Sequence, residues 1–332
     1  MAKNTSLHKA KAEQNDEFYT QISDIEKELK HYREHFKGKT VLCNCDDPRV
    51  SNFTRFFIMN FNRLGLKRLI TTCYKNQNVD LFSENKAEEA VYMDYYGTKN
   101  ENGLPDTEEI EIKPLKGDGD FRSRECRELL EQADIVVTNP PFSKFKEFVA
   151  LLIESNKKFL IIGNQNNVTY KDIFTYIKEN KMWLGFNNGD MSFKVPDYYP
   201  PKKERFWIDE TGQKWRSMGN ICWFTNLEHS KRNEEMILFK QYNTEEYPKY
   251  ENYDAIEVKY KINIPMDYDG VIGVPTTFLN VFNPNQFEIL GLSSSARYDP
   301  NIVGIPFLGE KDGRPILKGK TLFARIFIRR KK

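Results

Sequence analysis

The 332-residue sequence lacks the features of membrane, secreted and zinc-binding proteins. It has no run of about 18 apolar residues that could cross a membrane, and its basic N-terminal segment lacks the apolar core of a signal peptide. The five cysteines are scattered and odd in number, and there are only four histidines, so neither a disulfide framework nor a metal site is expected. We therefore expect a cytoplasmic protein whose cysteines are reduced.

The sequence also lacks an excess of charge of either sign. Lysine and arginine together number 50 against 48 aspartates and glutamates, which leaves a net charge of +2. A nucleic-acid-binding surface would therefore have to be a local basic patch. The mean hydropathy of -0.67 is low, but 24 Phe, 17 Tyr and 4 Trp supply enough large side chains for a folded core.

Residues 38–180 show the alternation of buried strands and helices that is typical of a parallel sheet. A first amphipathic helix over 22–36 is predicted from apolar residues at helical spacing, namely Ile22, Ile25, Leu29, Tyr32 and Phe36. Short apolar runs then predict strands at 39–45, 67–74, 110–115, 134–138 and 158–163. Residues 75–108 are interpreted as a polar excursion between strands. We predict an α/β fold with a doubly wound, mostly parallel, Rossmann-like sheet.

The pattern changes after residue 183. Strands predicted at 183–195 and 220–226 are joined by a long loop, 196–219, that is rich in proline, lysine and aromatic residues. From residue 230 onward the chain has short aromatic strands, Gly and Pro punctuation and a basic end, RIFIRRKK. This pattern predicts a separate, mainly β C-terminal region.

The sequence Asn139-Pro140-Pro141-Phe142 directly follows the predicted strand 134–138. Loops at the carboxyl ends of strands form the binding crevice of an open α/β sheet. Proline has no backbone N–H and fixes the backbone, so the Pro140 carbonyl and the Asn139 side-chain oxygen could accept hydrogen bonds from one planar NH2 group. Phe142 could stack on the ring that carries this group.

This loop suits methylation of an exocyclic amine such as adenine N6. The lone pair of that nitrogen is delocalised into the ring, and accepting both hydrogens makes it more tetrahedral and stabilises the positive charge that develops on methylation. No Brønsted base is needed at the start. The alternative interpretation is an ordinary Asn-Pro turn after a buried strand.

The same loop resembles motif IV of the amino-methyltransferases that use S-adenosylmethionine. Four further strings look like those of the EcoRI-type adenine-specific DNA methyltransferases, and this resemblance covers nearly the whole chain: residues 16–20, 43–53, 117–123 and 270–275. The strings CNCDDP and GDGDFRS are the most specific of them. The catalytic loop precedes the recognition region, which is the order of the γ group.

The resemblance implies a role for each matched residue. The cofactor-binding residues would be Phe18, Tyr19, Thr20, Asp46, Asp47, Pro48, Asp120 and Phe121. Among them, Asp120 would accept the adenine amino group of the cofactor and Phe121 would line its ring. The catalytic residues would be Asn139, Pro140, Pro141 and Phe142.

Two departures from the family pattern and three local alternatives accompany these roles. The loop DDPRVSN contains none of the usual glycines, and the string TTCYKNQ lacks the acidic residue that usually holds the ribose, leaving Thr72 or Tyr74 as substitutes. Asp47 could instead form a turn or cap before the next helix, and Asp120 could cap the helix that follows it. Phe18 and Tyr19 could be ordinary core residues.

DNA binding is predicted from cations that alternate with aromatic residues. The candidates are Lys202, Lys203, Arg205, Lys214 and Arg216. The alternative is a solvated loop that is anchored by its aromatic residues. The basic C-terminal end could likewise bind phosphate or be a disordered tail.

The predicted domains are a flexible basic arm (1–17), a catalytic S-adenosylmethionine-binding domain (18–228) and a target-recognition, DNA-binding region (229–332), with 196–219 contributing to it. The predicted function is site-specific methylation of a flipped-out adenine at N6 in double-stranded DNA, as the modification half of a restriction-modification system. The predicted protein is a monomer that acts at the nucleoid, and its functional partner is a cognate restriction endonuclease.

Other functions stay open on the sequence alone. RNA adenine or a protein glutamine could be the methyl acceptor, because a similar Asn-Pro-Pro-Tyr loop serves glutamine methylation. A more distant alternative is a metal-dependent nuclease built on Pro105, Asp106 and the string Glu111-Ile112-Lys113. The last alternative is a non-catalytic DNA-binding subunit.

Overall fold

The computed structural model describes residues 19–74, 89–98, 100, 110–195, 199–297, 303–309 and 313–331, without the side chains of Tyr19 and Arg297. The predicted arm 1–17, Phe18 and the Pro105-Asp106 pair lie outside the described residues. Two compact units are present, one of residues up to 165 together with 187–227, the other of 166–186 together with the residues from 228 on. The predicted boundary at residue 228 is a different kind of division, because it separates a catalytic domain from a recognition region. It stays a prediction.

The described residues form helices and strands of both short and medium length. The α-helices are Ile22–Leu29 (α1), Arg33–Phe36 (α2), Asn52–Met59 (α3), Phe61–Leu64 (α4), Arg124–Gln132 (α5), Phe145–Glu154 (α6) and Lys171–Lys178 (α7). The strands are Tyr19–Thr20 (β1), Thr40–Asn44 (β2), Arg68–Cys73 (β3), Val91–Tyr95 (β4), Ile112–Pro114 (β5), Ile135–Thr138 (β6), Lys158–Asn164 (β7), Trp183–Lys194 (β8), Phe206–Ile208 (β9), Lys214–Thr225 (β10), Ile256–Glu257 (β11), Ile272–Pro275 (β12), Phe287–Leu292 (β13), Ile316–Leu317 (β14), Lys320–Thr321 (β15) and Arg325–Arg330 (β16).

The large sheet has the strand order β1-β8-β10-β7-β6-β2-β3-β4-β5, with β9 paired to β10. Its centre, β7-β6-β2-β3, is parallel, whereas β4, β5 and β10 pair antiparallel with their neighbours. The predicted mainly parallel α/β sheet is therefore confirmed for the centre. The antiparallel strands on both sides were not predicted by the alternation of strands and helices.

Helices cover both faces of this sheet. Successive side chains of a strand point to opposite faces, and the neighbours Trp223 and Phe224 on β10 show which helix lies on each. The Trp223 ring meets Phe53 of α3 with centroids 6.1 Å apart, and the Phe224 ring meets Phe145 of α6 at 4.9 Å. Because both faces are packed, β2 and β6 are buried along their full length, which explains their uninterrupted apolar sequences.

Three sequence-based expectations need correction. The helix predicted over 22–36 is interrupted by a 3-10 turn at Lys30–Tyr32, although the apolar positions on both sides of the turn remain in one core. Strand β4 lies inside the segment that was predicted to be a polar excursion. The sequence did not predict this strand because only alternate residues of it are buried. The predicted loop 196–219 contains a hairpin of β9 and β10, closed by Asp209 N donating to the Gln213 carbonyl at 3.0 Å.

The predicted C-terminal β sheet is confirmed. It contains β11-β12-β16-β13, with β12 and β13 antiparallel to β16. Arg325, expected at a basic end, is buried and forms a forked ion pair with Glu257 at 2.8 and 3.0 Å. The basic end is therefore a sheet strand up to Arg330 and not a disordered tail. Within the described part of the chain, no helix is both long and apolar enough to span a membrane.

Candidate active site at the carboxyl edge of the sheet

The ends of β2 and β6 are joined by a buried carboxylate. Asp46, just after β2, lies with Oδ1 2.7 Å from the Ser51 hydroxyl and Oδ2 2.5 Å from the Thr138 hydroxyl at the end of β6. Ser51 also caps α3 by accepting from Phe53 N and Thr54 N. Parallel neighbouring strands end at the same edge, which is why residues 92 apart in sequence meet here.

Burial dominates the ionisation of Asp46. It raises the pKa of this carboxyl to about 7, and the charge of Asp47 adds to the rise, against the lowering effect of the Thr138 and Ser51 hydroxyls. The geometry also suits a protonated acid. Thr138 Oγ1 lies 2.5 Å from both Asp46 Oδ2 and the Asn44 carbonyl. A hydroxyl has one hydrogen and a carbonyl can only accept, so Asp46 is placed to supply the second hydrogen.

The turn after β2 replaces the expected glycine with Cys45. This residue has φ +84°, a left-handed conformation that non-glycine residues rarely adopt. The Thr72 carbonyl at the end of β3 accepts from both Cys45 N and Asp46 N, at 3.0 and 2.9 Å. These two bonds from the neighbouring strand hold the turn in place without a glycine.

Asp47 forms a fork with the arginine two residues later. Its Oδ1 accepts from Arg49 N and Nε at 2.9 and 2.8 Å, and its Oδ2 accepts from Arg49 Nη2 at 2.6 Å. The backbone bond is the turn expected as an alternative role of Asp47. The N-cap of α3, however, is Ser51 and not Asp47. Pro48, between the two partners, is buried.

Gly119 brings a second loop to the end of β3. It has φ +76°, and a Cβ at this position would lie 2.6 Å from the Cys73 carbonyl and 2.7 Å from Tyr74 Cα. Only glycine therefore permits this approach. The following Asp120 is thereby placed at the carboxyl edge.

Asp120 repeats the fork seen at Asp47. Its Oδ1 accepts from Arg122 N and Nε at 2.9 and 2.8 Å, and its Oδ2 accepts from Arg122 Nη2 at 2.8 Å and from Lys144 Nζ at 2.9 Å. Partial burial tends to raise the pKa of Asp120, but the hydrogen bonds from Arg122 and Lys144 outweigh burial and hold it well below its usual value. The helix that follows is capped by Ser123, so Asp120 does not cap it.

The neighbouring Phe121 is buried. Its ring packs edge-on against Phe148 with centroids 5.1 Å apart. The Arg122 guanidinium and the Lys144 ammonium lie 5.5 and 5.9 Å from the Phe121 ring centroid. The two cations therefore contact both members of the Asp-Phe pair.

The Asn139 loop follows β6 and touches the N-terminal strand. Asn139 Nδ2 donates to Thr20 Oγ1 at 3.3 Å, and Asn52 Nδ2 donates to the Thr20 carbonyl at 2.8 Å. Thr20 is held in turn by antiparallel pairing with Phe193 of β8. The Thr20 side chain is therefore brought to the predicted catalytic loop, whereas of Tyr19 only the backbone is described.

The prolines and Phe142 shape the rest of this loop. Pro140 is buried, while Pro141 and Phe142 are half-buried. Phe142 packs against the apolar core on the α1–α4 side of the sheet and begins a single turn closed by Lys144 N donating to the Pro141 carbonyl at 2.9 Å. That turn connects the loop directly to α6.

Some buried polar atoms on β2 and β3 have no hydrogen-bond partner in the protein. Within the described residues, Asn44 Oδ1, Thr71 Oγ1 and Thr72 Oγ1 are buried and make no hydrogen bond. Asn44 and Thr72 are register partners on the adjacent strands β2 and β3. A buried polar atom without a partner is costly, so this pair fits a site that a polar ligand completes.

Sequence reasoning missed several residues of the site. Arg49, Arg122 and Lys144 hold the aspartates, while Thr138 and Ser51 hold Asp46. One signal was present in the sequence: Asp47 and Asp120 are each followed by arginine two positions later. The contacts of Lys144 and Thr138 had no such signal because they join distant segments.

The candidate DNA-binding cations lie on and beside the β9–β10 hairpin. Arg205 pairs with Asp190 at 3.1 Å, and Arg216 donates to the Glu204 carbonyl. Lys202 lies over the Tyr199 ring at 5.8 Å, while Lys203 is exposed and Lys214 is half-buried. The hairpin also carries parallel Trp207 and Trp215 rings with centroids 6.1 Å apart. The expected loop thus contains an aromatic two-stranded ribbon, with Lys214 beside its turn and Arg205 and Arg216 at its open end.

Comparison with known proteins identifies the family. Residues 6–331 match the family described as "Adenine-specific methyltransferase EcoRI". The chain belongs to this family. It is 46% identical over 336 residues to the type II methyltransferase M.EcoRI of Escherichia coli, covering 100% of this chain and 98% of the relative.

Two mycoplasma proteins are also similar to the present chain. They are the type II methyltransferases M.MgeORF184P of Mycoplasma genitalium, at 43% identity over 86% of this chain and 85% of the relative, and M.MpnI of Mycoplasma pneumoniae, at 41% over 86% and 84%. No solved structure matches the chain. The prediction of an adenine-specific DNA methyltransferase, of the type II class found in restriction-modification systems, is confirmed. The roles of individual residues stay predictions.

Proposed function

We propose that this methyltransferase uses S-adenosylmethionine to methylate N6 of an adenine that is flipped out of double-stranded DNA. The observation that carries the proposal is the placement of the loop Asn139–Phe142 at the carboxyl end of β6, beside the loops of Asp46 and Asp120. Adenine N6 is paired and stacked inside a duplex, so a loop of this kind can reach it only after extrusion of the base.

The residues at the edge fit the proposed cofactor. S-adenosylmethionine carries an electrophilic methyl group on a sulfonium, together with hydroxyl and amino groups that need polar partners. The buried, unsatisfied Asn44 and Thr72 atoms supply such partners, and Thr72 is our candidate for the ribose contact in place of the missing acidic residue. The proposed holding residues are Thr20, Asp46, Asp47, Pro48, Asp120 and Phe121, with Phe18 and Tyr19 carried by the family resemblance alone.

The catalytic loop is proposed to act on the amino group by accepting its hydrogens. Asn139 Nδ2 donates to Thr20, and this bond fixes the orientation of the side-chain amide. The amide oxygen Oδ1 is the atom of this side chain that is proposed to accept a hydrogen from the amino group. Oδ1 and the Pro140 carbonyl then bind the two hydrogens of one NH2 group, and Pro141 keeps the backbone rigid. Phe142 supplies a face on which the base stacks. Positive charge that develops on the nitrogen is stabilised by oxygens already in position.

Recognition of the DNA sequence is proposed for the region 229–332 together with 196–219. The hairpin supports this proposal, since a two-stranded ribbon fits the major groove, and Lys214 on the hairpin together with Lys202 and Lys203 just before it could bind phosphates. Arg205 and Arg216 already have partners in the chain and are proposed to shape the base of the ribbon as well as to bind DNA. We further propose a monomer acting on chromosomal DNA in the cytoplasm, with a cognate restriction endonuclease as its functional partner.

The test of this proposal is Asn139→Ala. Sequencing of modified DNA from cells that express the enzyme first locates the methylated base, and a duplex with that site is then used in single-turnover experiments. Loss of one preorganised acceptor should lower the methylation rate by about 10²–10³-fold. Affinity for S-adenosylmethionine, measured by calorimetry, should stay within about twofold because other loops hold the cofactor.

Asn62→Ala is the matched control, because Asn62 is an exposed asparagine on α4. It should methylate at the wild-type rate. Wild-type turnover by Asn139→Ala would overturn the proposed mechanism. Failure of the unaltered enzyme to bind S-adenosylmethionine would overturn the cofactor assignment.

A further inference from the structure

The Asp120 carboxylate has no acceptor position left. An ionised carboxylate offers about four lone-pair positions, two on each oxygen. Oδ1 is used by Arg122 N and Nε, and Oδ2 by Arg122 Nη2 and Lys144 Nζ, all at 2.8–2.9 Å. An amino group that binds to Asp120 must therefore displace one of these donors.

Lys144 is the donor that leaves most easily. Its ammonium makes one hydrogen bond, to Asp120, and exposure does not separate the two donors, since the Lys144 side chain is 37% exposed and that of Arg122 is 49% exposed. Arg122 instead binds Asp120 through three groups and is fixed on its other side by Glu147 at 2.9 Å. Breaking one hydrogen bond costs less than breaking the three that Arg122 makes.

Lys144 is also part of the turn that ends the catalytic loop. It follows Phe142 by two residues, and its backbone N–H closes that turn onto the Pro141 carbonyl at 2.9 Å. Its side chain crosses to the loop of Asp120 and Phe121. One residue thus links the predicted catalytic loop with the predicted cofactor loop.

We infer that Lys144 occupies the position on Asp120 that the cofactor's adenine amino group takes, and that cofactor binding releases the Lys144 side chain beside the catalytic loop. Lys144 is therefore a positioning residue that opposes cofactor binding until it is displaced. This inference rests on the proposed function, since it needs Asp120 to bind the adenine amino group.

Competition for one acceptor predicts the direction in which ligand affinity changes when the Lys144 ammonium is removed. If the ammonium must leave before the amino group binds, removal of the ammonium makes the ligand bind more tightly. A charge-assisted hydrogen bond at a partly exposed site corresponds to a gain of about threefold to tenfold in affinity. The gain is confined to ligands that carry the amino group.

The experiment compares two ligands that differ at this group. S-adenosylhomocysteine carries the amino group and no sulfonium charge, whereas S-inosylhomocysteine carries an oxygen in place of the amino group. Dissociation constants of both are measured by calorimetry for the wild type, Lys144→Met and Lys144→Arg. Lys67→Met is the control, because Lys67 is exposed and lies at the opposite, amino end of β3. Thermal melting checks that each variant is folded.

Lys144→Met should bind S-adenosylhomocysteine about threefold to tenfold more tightly and S-inosylhomocysteine no more tightly than the wild type. Lys144→Arg, which keeps a cationic donor, and Lys67→Met should show wild-type affinity for both. An unchanged or weaker affinity of Lys144→Met for S-adenosylhomocysteine overturns the inference, as does an equal gain for both ligands. If the wild type binds neither S-adenosylhomocysteine nor S-adenosylmethionine, the proposed cofactor and this inference fall together.

Discussion

Asp46 and Asp120 lie at the same edge of one sheet and have opposite tendencies to ionise. Asp46 is enclosed by the Ser51 and Thr138 hydroxyls, and burial raises its pKa to about 7. Asp120 is enclosed by the cations of Arg122 and Lys144, and its pKa is held well below the usual value. The difference shows that the depth of burial and the charge of the donors together, rather than position at the edge, decide which carboxyl stays ionised.

The two aspartates are therefore suited to different tasks. Asp120 is anionic throughout the physiological range, and it can accept a hydrogen bond from an amino group once Lys144 is displaced. Asp46 joins the end of β6 to the start of α3 through Thr138 and Ser51, and these bonds hold the segment that leads into Asn139. A protonated Asp46 can perform this role, because hydroxyl partners accept as well as donate.

The largest effect is expected from Gly119→Ala, which would break the Asp120 side of the comparison. The left-handed backbone and the contact of a new Cβ with the Cys73 carbonyl should together lower the free energy of unfolding by about 3 kcal/mol. Affinity for S-adenosylmethionine, measured by calorimetry, should fall by more than about tenfold, because Asp120 is displaced. A tenfold loss corresponds to about 1.4 kcal/mol of binding free energy. Gly38→Ala is the control, since Gly38 has φ +70° and nothing within 4 Å of its Cβ position.

Gly38→Ala should lose only the backbone contribution, about 1–2 kcal/mol, and keep wild-type cofactor affinity. Equal losses of stability in the two variants would show that the contact with β3 does not hold the Asp120 loop.

An intermediate effect is expected from Asp46→Asn, measured as a function of pH. The native pKa is about 7 and the unfolded value is about 3.9, so between these values the native state binds more protons than the unfolded state. The stability of the wild type should therefore fall as pH rises through this window, by at most about 1.4 kcal/mol per pH unit. Asparagine resembles the protonated acid and does not titrate.

Chemical denaturation at pH 5, 6, 7 and 8 checks this expectation. Asp46→Asn should be close to the wild type at pH 5 and should become the more stable of the two by pH 8, with a total shift of about 2.5 kcal/mol. A difference that does not change with pH would contradict the raised pKa of Asp46.

The smallest effect is expected from Asp120→Asn. A depressed pKa stabilises the folded state above the unfolded value of about 3.9, and this contribution is lost only as pH falls through the lower native pKa. Between pH 5 and 8 the variant should therefore be less stable by a constant amount, about 0.5–1 kcal/mol after allowance for the exposure of Arg122 and Lys144. The same denaturation series tests this, and a loss that varies with pH would refute it.

The parts of the fold predictable from sequence are those in which one segment alone carries the signal. The buried strands β2, β3, β6 and β7 each contain a run of two to four consecutive apolar residues, because they are buried in the sheet. Strand β4 escaped prediction because a half-exposed edge region needs fewer apolar residues. Antiparallel pairing of β4 with β3 leaves no mark in either strand alone.

The same limit applies to the site. The motif of Asn139 and the Asp-x-Arg spacings are local and could be read from the sequence. The bonds of Thr138 to Asp46 and of Lys144 to Asp120 join segments 92 and 24 residues apart and depend on the direction of side chains after folding. Family resemblance supplied the list of loops, while the structure adds which side chains hold them.

The two-residue strand β1 has a consequence for the order of folding. Thr20 pairs with Phe193, 173 positions later, and its hydroxyl meets Asn139, 119 positions later. Contacts of such long range carry a large loop-closure cost and form late. During synthesis the Asn139 loop cannot receive its Thr20 contact in the final position until β8 has left the ribosome. We expect the nascent chain to acquire activity late, after most of the sheet has assembled.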